Sequence, residues 1–159
     1  MEQEPIINAH NKDEYPPMHT AEHILNQTMV RMFACPRSKN AHIERKKSKC
    51  DYLLPKAPSA EQIGEIEKKV NEVISNNLPI TIEYLNKEEA AKVVDLSKLP
   101  EEASDTLRIV KVGEYDTCAC AGNHVSNTKE IGQFTIISSN FEDKNNEELG
   151  RWRVRWKVI

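Results

Sequence analysis

The stretch His19-Thr20-Ala21-Glu22-His23 places two histidines four residues apart, and Cys120-Ala121-Gly122-Asn123-His124 repeats that spacing with a cysteine and a histidine. Side chains four residues apart share one face of a helix. Three imidazoles and one thiolate suit a tetrahedral Zn²⁺, and the oxygen ligands that hard cations prefer are missing. Gly122 lets a loop turn so that both side chains of the second motif point inward. The sequence therefore predicts a zinc site formed by His19, His23, Cys120 and His124.

Two features of this predicted site stay open. Cys118 lies two residues before Cys120, so it is either a neighbouring thiol or a ligand that can exchange with Cys120. Catalytic zinc usually has three protein ligands and one open position, whereas four protein ligands close a tetrahedral site. Such a zinc would become five-coordinate, have one loose ligand, or orient a substrate instead of activating water.

The composition is that of one folded domain. The chain has 159 residues, of which 38% are hydrophobic and 30% charged. No apolar run approaches the ~20 residues of a membrane span, and the first residues lack the basic and apolar regions of a secretory signal. We therefore expect a cytoplasmic protein without a membrane partner. The net charge of −3 argues against a strongly basic nucleic-acid binder, so any RNA contact must come from a local patch.

The pattern of apolar residues predicts an α+β fold, with helices packed on a mostly antiparallel sheet. Residues 1–17 are polar and rich in proline, so we predict an N-terminal arm there and a single domain over residues 18–159. The first helix is expected to begin at Pro17 or Met18 and to end before Pro36. The other predicted elements are a strand at 50–54, a helix opened by a Ser59/Gln62 capping box and closed at Asn76, a strand at 80–85, a helix at 87–92, a strand at 106–112, a loop at 113–128, and antiparallel strands at 132–139 and 149–159 joined by a loop at 140–148.

Both motifs continue into longer strings that have a known counterpart. HTAEHIL at 19–25 and HVSNTKEIG at 124–132 resemble the aminoacyl-tRNA editing domain shared by alanyl- and threonyl-tRNA synthetases. They resemble in particular its free-standing form, the AlaX trans-editing proteins. Segments 49–52 and 108–112 are similar to further parts of that family. The resemblance implies an editing-domain-like α+β fold with His19, His23, Cys120 and His124 as the zinc ligands.

The resemblance also implies a reaction. Proteins of this family hydrolyse the ester bond of a mischarged tRNA, typically serine or glycine on alanine-specific tRNA, at the 3′ acceptor end. We therefore expect a zinc-dependent aminoacyl-tRNA hydrolase that acts in trans. The other domains of a synthetase are not expected in this chain. No P-loop motif occurs in the sequence, so ATP is not expected as a partner.

Two residues of the predicted site depart from the family pattern. Asn123 stands where the family usually has threonine, and Glu22 stands where it often has threonine or another small or neutral residue. Glu22 lies within one helical turn of both histidines of the first motif. We favour a substrate contact or a hydrogen bond to a ligand histidine over the role of general base, because the family lacks a glutamate there. Glu22 and Asn123 are the candidate catalytic residues.

Basic residues cluster in two places, where their positive charge could contact RNA phosphates. One cluster lies in the segment 37–49, and in the other, residues 151–157, basic side chains alternate with apolar ones that include Trp152 and Trp156. Strand periodicity sends the tryptophans to one face and the basic side chains to the other. The basic face is either solvated or a contact for tRNA phosphates. The predicted tRNA-binding residues are Arg45, Lys46, Lys47, Arg151, Arg153 and Arg155.

Two other classes of protein use similar residues. His19-x-x-Glu22-His23 matches the H-x-x-E-H arrangement of some zinc peptidases, in which the glutamate is the general base. The chain is short for such an enzyme and offers cysteine and histidine downstream instead of a carboxylate ligand. The other class is a non-catalytic zinc module that binds tRNA. Turnover of mischarged tRNA distinguishes an editing enzyme from that module.

Overall fold

The computed structural model describes residues 15–94, 106–143 and 148–159. Within these ranges the chain forms helices and two antiparallel sheets, which confirms the predicted α+β class. The elements in chain order are α1 (Pro16–Phe33), β1 (Asn40–His42), β2 (Ser48–Leu54), α2 (Ala60–Ser75), β3 (Ile80–Asn86), α3 (Lys87–Ala90), β4 (Thr106–Val112), β5 (Asp116–Ala119), a 3₁₀ turn (Thr128–Glu130), β6 (Phe134–Glu142) and β7 (Gly150–Val158).

Helix α1 carries the first motif and is the most deeply buried helix. It opens with Pro16, as expected for a residue that lacks a backbone N–H, and it ends at Ala34 with a left-handed φ of 54°. Its apolar side chains at 18, 21, 24, 25 and 29 are fully buried. These positions follow the period of a helix and leave His19 and His23 on an adjoining, also buried, face. The core therefore fixes the direction in which both histidines point.

Helix α2 packs beside α1 and holds the edge of a sheet. The predicted capping box forms, since Ser59 Oγ accepts from Gln62 N at 3.1 Å and Gln62 Oε1 accepts from Ser59 N at 2.8 Å. Farther along, the Asn71 side chain bonds both backbone groups of Phe134, accepting from N at 2.8 Å and donating to O at 2.9 Å. An amide side chain thus replaces a neighbouring strand at this part of the β6 edge, where backbone groups would otherwise lack partners.

The larger sheet has the strand order β1-β2-β7-β6, and helices α1 and α2 pack against it. Trp152, Val154 and Trp156 of β7 are buried at 0–1% exposure, and Cys50 and Tyr52 of β2 lie on the same face. The basic residues between them point to the outer face, as the alternation of β7 predicts.

The smaller sheet, β3-β4-β5, supports the loop that follows it. Strand β4 is buried on both faces, with Leu107 and Ile109 packed against Ala90 of the short helix α3. Its partner β5 lies in residues 113–128, which were predicted to be a loop, and that part of the prediction is wrong. The four residues of β5 do not alternate between polar and apolar, and the strand exists because it pairs with β4, Ile109 lying opposite Ala119.

Smaller differences concern the ends of elements. The predicted helix at 87–92 is shorter, and the predicted loop at 140–148 begins later because residues 140–142 extend β6. Residues 144–147 of that loop lie outside the described residues. Of the predicted arm, residues 1–14 also lie outside them, whereas Pro16 and Pro17 belong to α1. No helix in the described part of the chain is long and apolar enough to cross a membrane.

Candidate metal centre

Four side chains from two distant parts of the chain meet between α1 and the smaller sheet. Helix α1 contributes His19 and His23, and the loop after β5 contributes Cys120 and His124. One ligand atom of each lies within 4.8 Å of the others, and Cys120 Sγ is 3.3 Å from His19 Nε2. The His124 ring stacks on that of His19 at 4.4 Å between centroids and meets the ring of His23 edge-on at 4.5 Å. The structure thus brings all four predicted ligands into one buried cluster.

The cluster fits a zinc ion. Bonds of about 2.0–2.3 Å to a tetrahedral Zn²⁺ place ligand atoms about 3.3–3.8 Å apart. The 3.3 Å between Cys120 Sγ and His19 Nε2 falls in this range, and the ligand atoms of all four residues lie within 4.8 Å of one another. His124 supports the fit, because its buried Nε2 has no hydrogen-bond partner while its Nδ1 lies 2.9 Å from Thr20 Oγ1. With the proton on Nδ1, the lone pair of Nε2 is available to a metal. Thr20 is itself held, since its Oγ1 accepts from Val125 N at 3.2 Å.

A buried carboxylate orients the second histidine. Asp116 Oδ2 lies 3.4 Å from His23 Nδ1, and Asp116 is only 2% exposed. Its oxygens also accept from Arg37, at 2.5 Å from Nη1 and 3.2 Å from Nη2, and from Gln27 Nε2 at 3.2 Å. A carboxylate on the far nitrogen of a ligand histidine fixes the ring and increases its basicity. The chain Arg37–Asp116–His23 therefore points His23 Nε2 towards the cluster.

The protonation states of Cys120 and His124 suit a metal. Burial by itself raises the pKa of the Cys120 thiol, but the positive charge of His23 and hydrogen bonds from the histidines outweigh burial and lower this pKa to about 2. Burial, together with the charges of His23 and His19, lowers the pKa of His124 to about 4. At neutral pH Cys120 and His124 therefore offer a thiolate and a neutral imidazole, which are forms that bind zinc. Burial by itself lowers the pKa of His23, but the Cys120 thiolate and the hydrogen bond with Asp116 outweigh burial and raise this pKa, so His23 releases a proton when a metal binds.

Strand β4 holds the loop that carries Cys120 and His124. Arg108 is 8% exposed, and its guanidinium donates to the carbonyls of Cys120, at 3.2 Å, and of Gly122. The backbone N–H of Cys120 donates in return to the Arg108 carbonyl at 2.9 Å. Gly122 N also donates to Cys120 Sγ at 3.4 Å. Four contacts thus fix the turn in which the thiolate is presented.

The Asn127–Glu130 segment, part of the resemblance, anchors the far end of this loop. Thr128 Oγ1 donates to Ile74 O at 2.9 Å and accepts from Leu78 N at 2.9 Å. The Glu130 carboxylate accepts from the backbone N–H of Asn127 at 2.9 Å. These bonds tie the loop to the end of α2, so the segment has a structural role beside the metal cluster.

The remaining predicted site residues lie around the cluster. Glu22 Oε1 is 3.9 Å from His19 Nε2, and its side chain is 14% exposed. Asn123 is exposed next to His124. Cys118 is outside the four-residue group, and burial raises the pKa of its thiol, so it is present as a neutral neighbour.

The predicted tRNA-binding residues fall into two different environments. Arg45, Lys46 and Lys47 are exposed in the turn between β1 and β2. The β7 arginines are half-buried and bonded within the sheet: Arg153 donates to both Asp51 oxygens, at 2.7 and 2.9 Å, and Arg155 donates to Asn140 Oδ1 at 2.8 Å. Arg151 is paired with Glu142.

Sequence patterns did not indicate Arg37, Asp116, Thr20 or Arg108 as parts of the centre. Arg37 and Asp116 are 79 residues apart in the chain, and neither stands at a spacing typical of a metal site. The position of Thr20 between two ligands was the one available signal, because a hydroxyl beside a ligand histidine is a common partner for its second nitrogen. Arg37, Asp116 and Arg108 reach the centre only through the tertiary fold, which no local pattern indicates.

The chain forms an α+β fold with a buried cluster of three histidines and one cysteine that could hold a metal ion, and comparison with known proteins shows which family this fold is similar to. Residues 107–154, which include Cys120 and His124, match the family described as the threonyl and alanyl tRNA synthetase second additional domain. This match includes the second motif and confirms the resemblance expected from it, and residues 107–154 of the chain are similar to that domain.

Similar proteins are alanine–tRNA ligases. That of Leptospira biflexa serovar Patoc is 34% identical over 138 residues, which are 82% of this chain and 14% of the ligase. That of Treponema denticola is 29% identical over 129 residues, 80% of this chain and 22% of the ligase. That of Fervidobacterium nodosum is 34% identical over 121 residues, 76% of this chain and 14% of the ligase. The chain thus spans 14–22% of the length of these ligases.

Proposed function

We propose that this protein is a zinc-dependent hydrolase that removes a wrongly attached amino acid from tRNA, acting in trans in the cytoplasm. The proposed substrate is the seryl or glycyl ester of alanine-specific tRNA. The observation that carries the proposal is the buried cluster of His19, His23, Cys120 and His124 in a domain related to the synthetase second additional domain.

The four clustered side chains would hold the zinc. A bound zinc supplies a positive charge that polarises an ester carbonyl, orients the substrate or acidifies a water molecule. Asp116 and Thr20 keep protons on the far nitrogens of His23 and His124, so that both rings present Nε2 to the ion. The ester bond is broken by water, and the reaction needs no ATP.

Glu22 is proposed to contact the amino acid of the substrate. Its carboxylate lies beside His19 and is partly exposed, so it can accept from a seryl hydroxyl or pair with the substrate ammonium group. Asn123 stands exposed next to His124 and is proposed to bind the same end of the substrate. Glu22→Gln retains a hydrogen-bond acceptor and removes the charge. A contact to the hydroxyl predicts that this variant keeps most of its activity on the seryl ester, whereas a general base predicts a similar large loss of activity on every ester.

One observation favours a second candidate function, a zinc module that binds tRNA without hydrolysing it. Four protein ligands fill a tetrahedral zinc, and catalytic zinc usually keeps one position open. The peptidase alternative has less support, because the metal-type group found among the described residues contains no carboxylate ligand.

The proposal is tested by hydrolysis of seryl-, glycyl- and alanyl-tRNA, all specific for alanine, with zinc-loaded protein. The expected result is rapid loss of the seryl or glycyl ester and slow loss of the alanyl ester. The control is the double variant Cys120→Ala/His124→Ala, which should bind no zinc and hydrolyse none of the esters. Zinc-loaded protein that binds the tRNAs but hydrolyses none of them would instead support the binding module.

A further inference from the structure

A cavity of about 250 Å³ has Arg37 in its wall. It opens between the segment that follows α1 and the outer face of the larger sheet, close to β1. A volume of this size is below the ~300–1,000 Å³ of sites for drug-sized ligands, so it suits a part of a larger molecule, such as one nucleotide of an RNA. The residues that line it are Pro36, Arg37, Lys39, Asn40, Asp51, Leu53 and Arg151.

The charges around the cavity favour an anion. Among the described residues of its wall the one carboxylate is Asp51, which is already bound by Arg153 at 2.7 and 2.9 Å and by Asn40 Nδ2 at 2.8 Å. Lys39 is exposed, and no carboxylate in the described ranges forms an ion pair with it. Arg151 is paired with Glu142, a surface carboxylate outside the cavity wall, and its Nε lies 3.9 Å from Asp51 Oδ2. Lys39 therefore remains as the positive group of the cavity wall that has no carboxylate partner among the described residues.

The other walls of the cavity are apolar. Pro36 and Leu53 face it, and Leu53 is 43% exposed although it lies on a strand. A strand residue on the solvated face of an antiparallel sheet is usually polar, so an exposed leucine beside positive groups is unusual. Apolar walls next to cations suit a ligand that carries both a flat apolar ring and a phosphate. An unpaired nucleotide of RNA has both parts.

We infer that this cavity binds a phosphate-bearing, unpaired nucleotide near the 3′ end of the substrate RNA. The inference rests on the proposed function and names where that RNA is held. The nucleotide's phosphate lies against Lys39, and its base lies against Pro36 and Leu53.

The position of the cavity relative to the metal cluster supports this assignment. Arg37 lines the cavity and also binds Asp116, which contacts the ligand His23. Two side chains therefore separate the cavity from a metal ligand. A strand of RNA whose terminal ester lies at the metal can place a nearby nucleotide in the cavity.

The test is binding of an uncharged acceptor-stem minihelix, with and without its single-stranded 3′ end, to the zinc-loaded protein over a range of salt concentrations. Lys39→Glu should weaken binding about tenfold at low salt and reduce the salt slope by about 1, because one phosphate contact is lost and a repulsion is added. Leu53→Ala should weaken binding without changing the slope. Lys92→Glu is the charge-matched control. Lys92 is exposed in the turn that follows α3, far along the chain from the cavity residues, and this variant should bind the minihelix as the wild type does.

Removal of the single-stranded 3′ end should abolish the difference between Lys39→Glu and wild type. Equal binding by wild type, Lys39→Glu and Leu53→Ala would overturn the inference, as would a wild type that does not bind the minihelix. Hydrolysis of seryl-tRNA by the wild type is measured separately. If binding depends on Lys39 but no ester is hydrolysed, the result supports the nucleotide site and contradicts the proposed hydrolase function.

Discussion

The substitution Asp116→Asn tests whether the buried carboxylate orients a metal ligand. It keeps the shape of the side chain and removes the charge that His23 and Arg37 share. Loss of a partner of this kind costs about 10–100-fold in metal affinity, which is about 1.4–2.7 kcal/mol. The substitution also leaves the Arg37 guanidinium, 19% exposed, without its carboxylate. Because Arg37 retains some access to water, we expect about 3 kcal/mol of lost stability, the lower end for a broken buried pair.

The assay is competition for zinc against a chelator of known affinity, with far-UV circular dichroism to verify folding. Asp51→Asn is the matched control, because Asp51 also bonds an arginine, Arg153, yet contacts no residue of the metal cluster. It should lose stability and keep the zinc affinity of the wild type. Two results would refute the reasoning: a folded Asp116→Asn variant with unchanged zinc affinity, or an equal loss of affinity in both variants.

Three further predictions concern the fold. Burial tends to raise the pKa of Asp51, but hydrogen bonds from Arg153 and Asn40 outweigh it and hold this pKa below 3.8; its stabilisation is therefore present above the unfolded-state pKa and is lost as the pH falls through the folded-state pKa. Urea unfolding should thus show Asp51→Asn about 1 kcal/mol less stable than wild type at pH 7, with a difference that shrinks as the pH falls through the folded-state pKa of Asp51, and a pH-independent difference would contradict this. Trp152→Ala should cost about 3–5 kcal/mol, since the side chain is 1% exposed, and a cost below 1 kcal/mol by the same measurement would argue against a packed core there. Gly132→Ala should cost more than about 1 kcal/mol, because φ is +97° and a Cβ would meet the Ile159 carbonyl oxygen at 2.3 Å; thermal unfolding like that of wild type would show that the turn adjusts.

The parts of the fold that the sequence predicts are those with local causes. Helix α1 follows from the spacing of its apolar residues, α2 from the capping box at Ser59, and the two faces of β7 from the alternation of Trp152 and Trp156 with basic residues. Each of these patterns lies within a few residues of the chain. Neither the division into two sheets nor strand β5 has such a local cause, because β2 pairs with β7 about a hundred residues away and β5 forms only beside β4.

In the candidate site, too, some residues can be predicted from local sequence and others cannot. Ligand types and the four-residue spacings indicate His19, His23, Cys120 and His124, since residue chemistry alone restricts what such a set can bind. The groups that orient these ligands come from other parts of the chain. Asp116 reaches His23 because β5 pairs with β4 beside α1, and this pairing cannot be derived from a four-residue stretch with no apolar alternation.

The arginines of β7 show why a charge pattern by itself is a poor guide to RNA binding. Alternation places Arg153 on the outer face, but only the strand register places Asp51 opposite it, where the two charges neutralise each other. The same pairing removes the one carboxylate of the cavity wall from competition with an incoming phosphate. A chain with a net charge of −3 can therefore present a local anion site, because its nearby carboxylates, Asp51 and Asp116, are each bound by an arginine, while Lys39 forms no ion pair with any carboxylate of the described residues. RNA contact should accordingly depend more on Lys39 than on Arg153, although Arg153 belongs to the more conspicuous basic pattern.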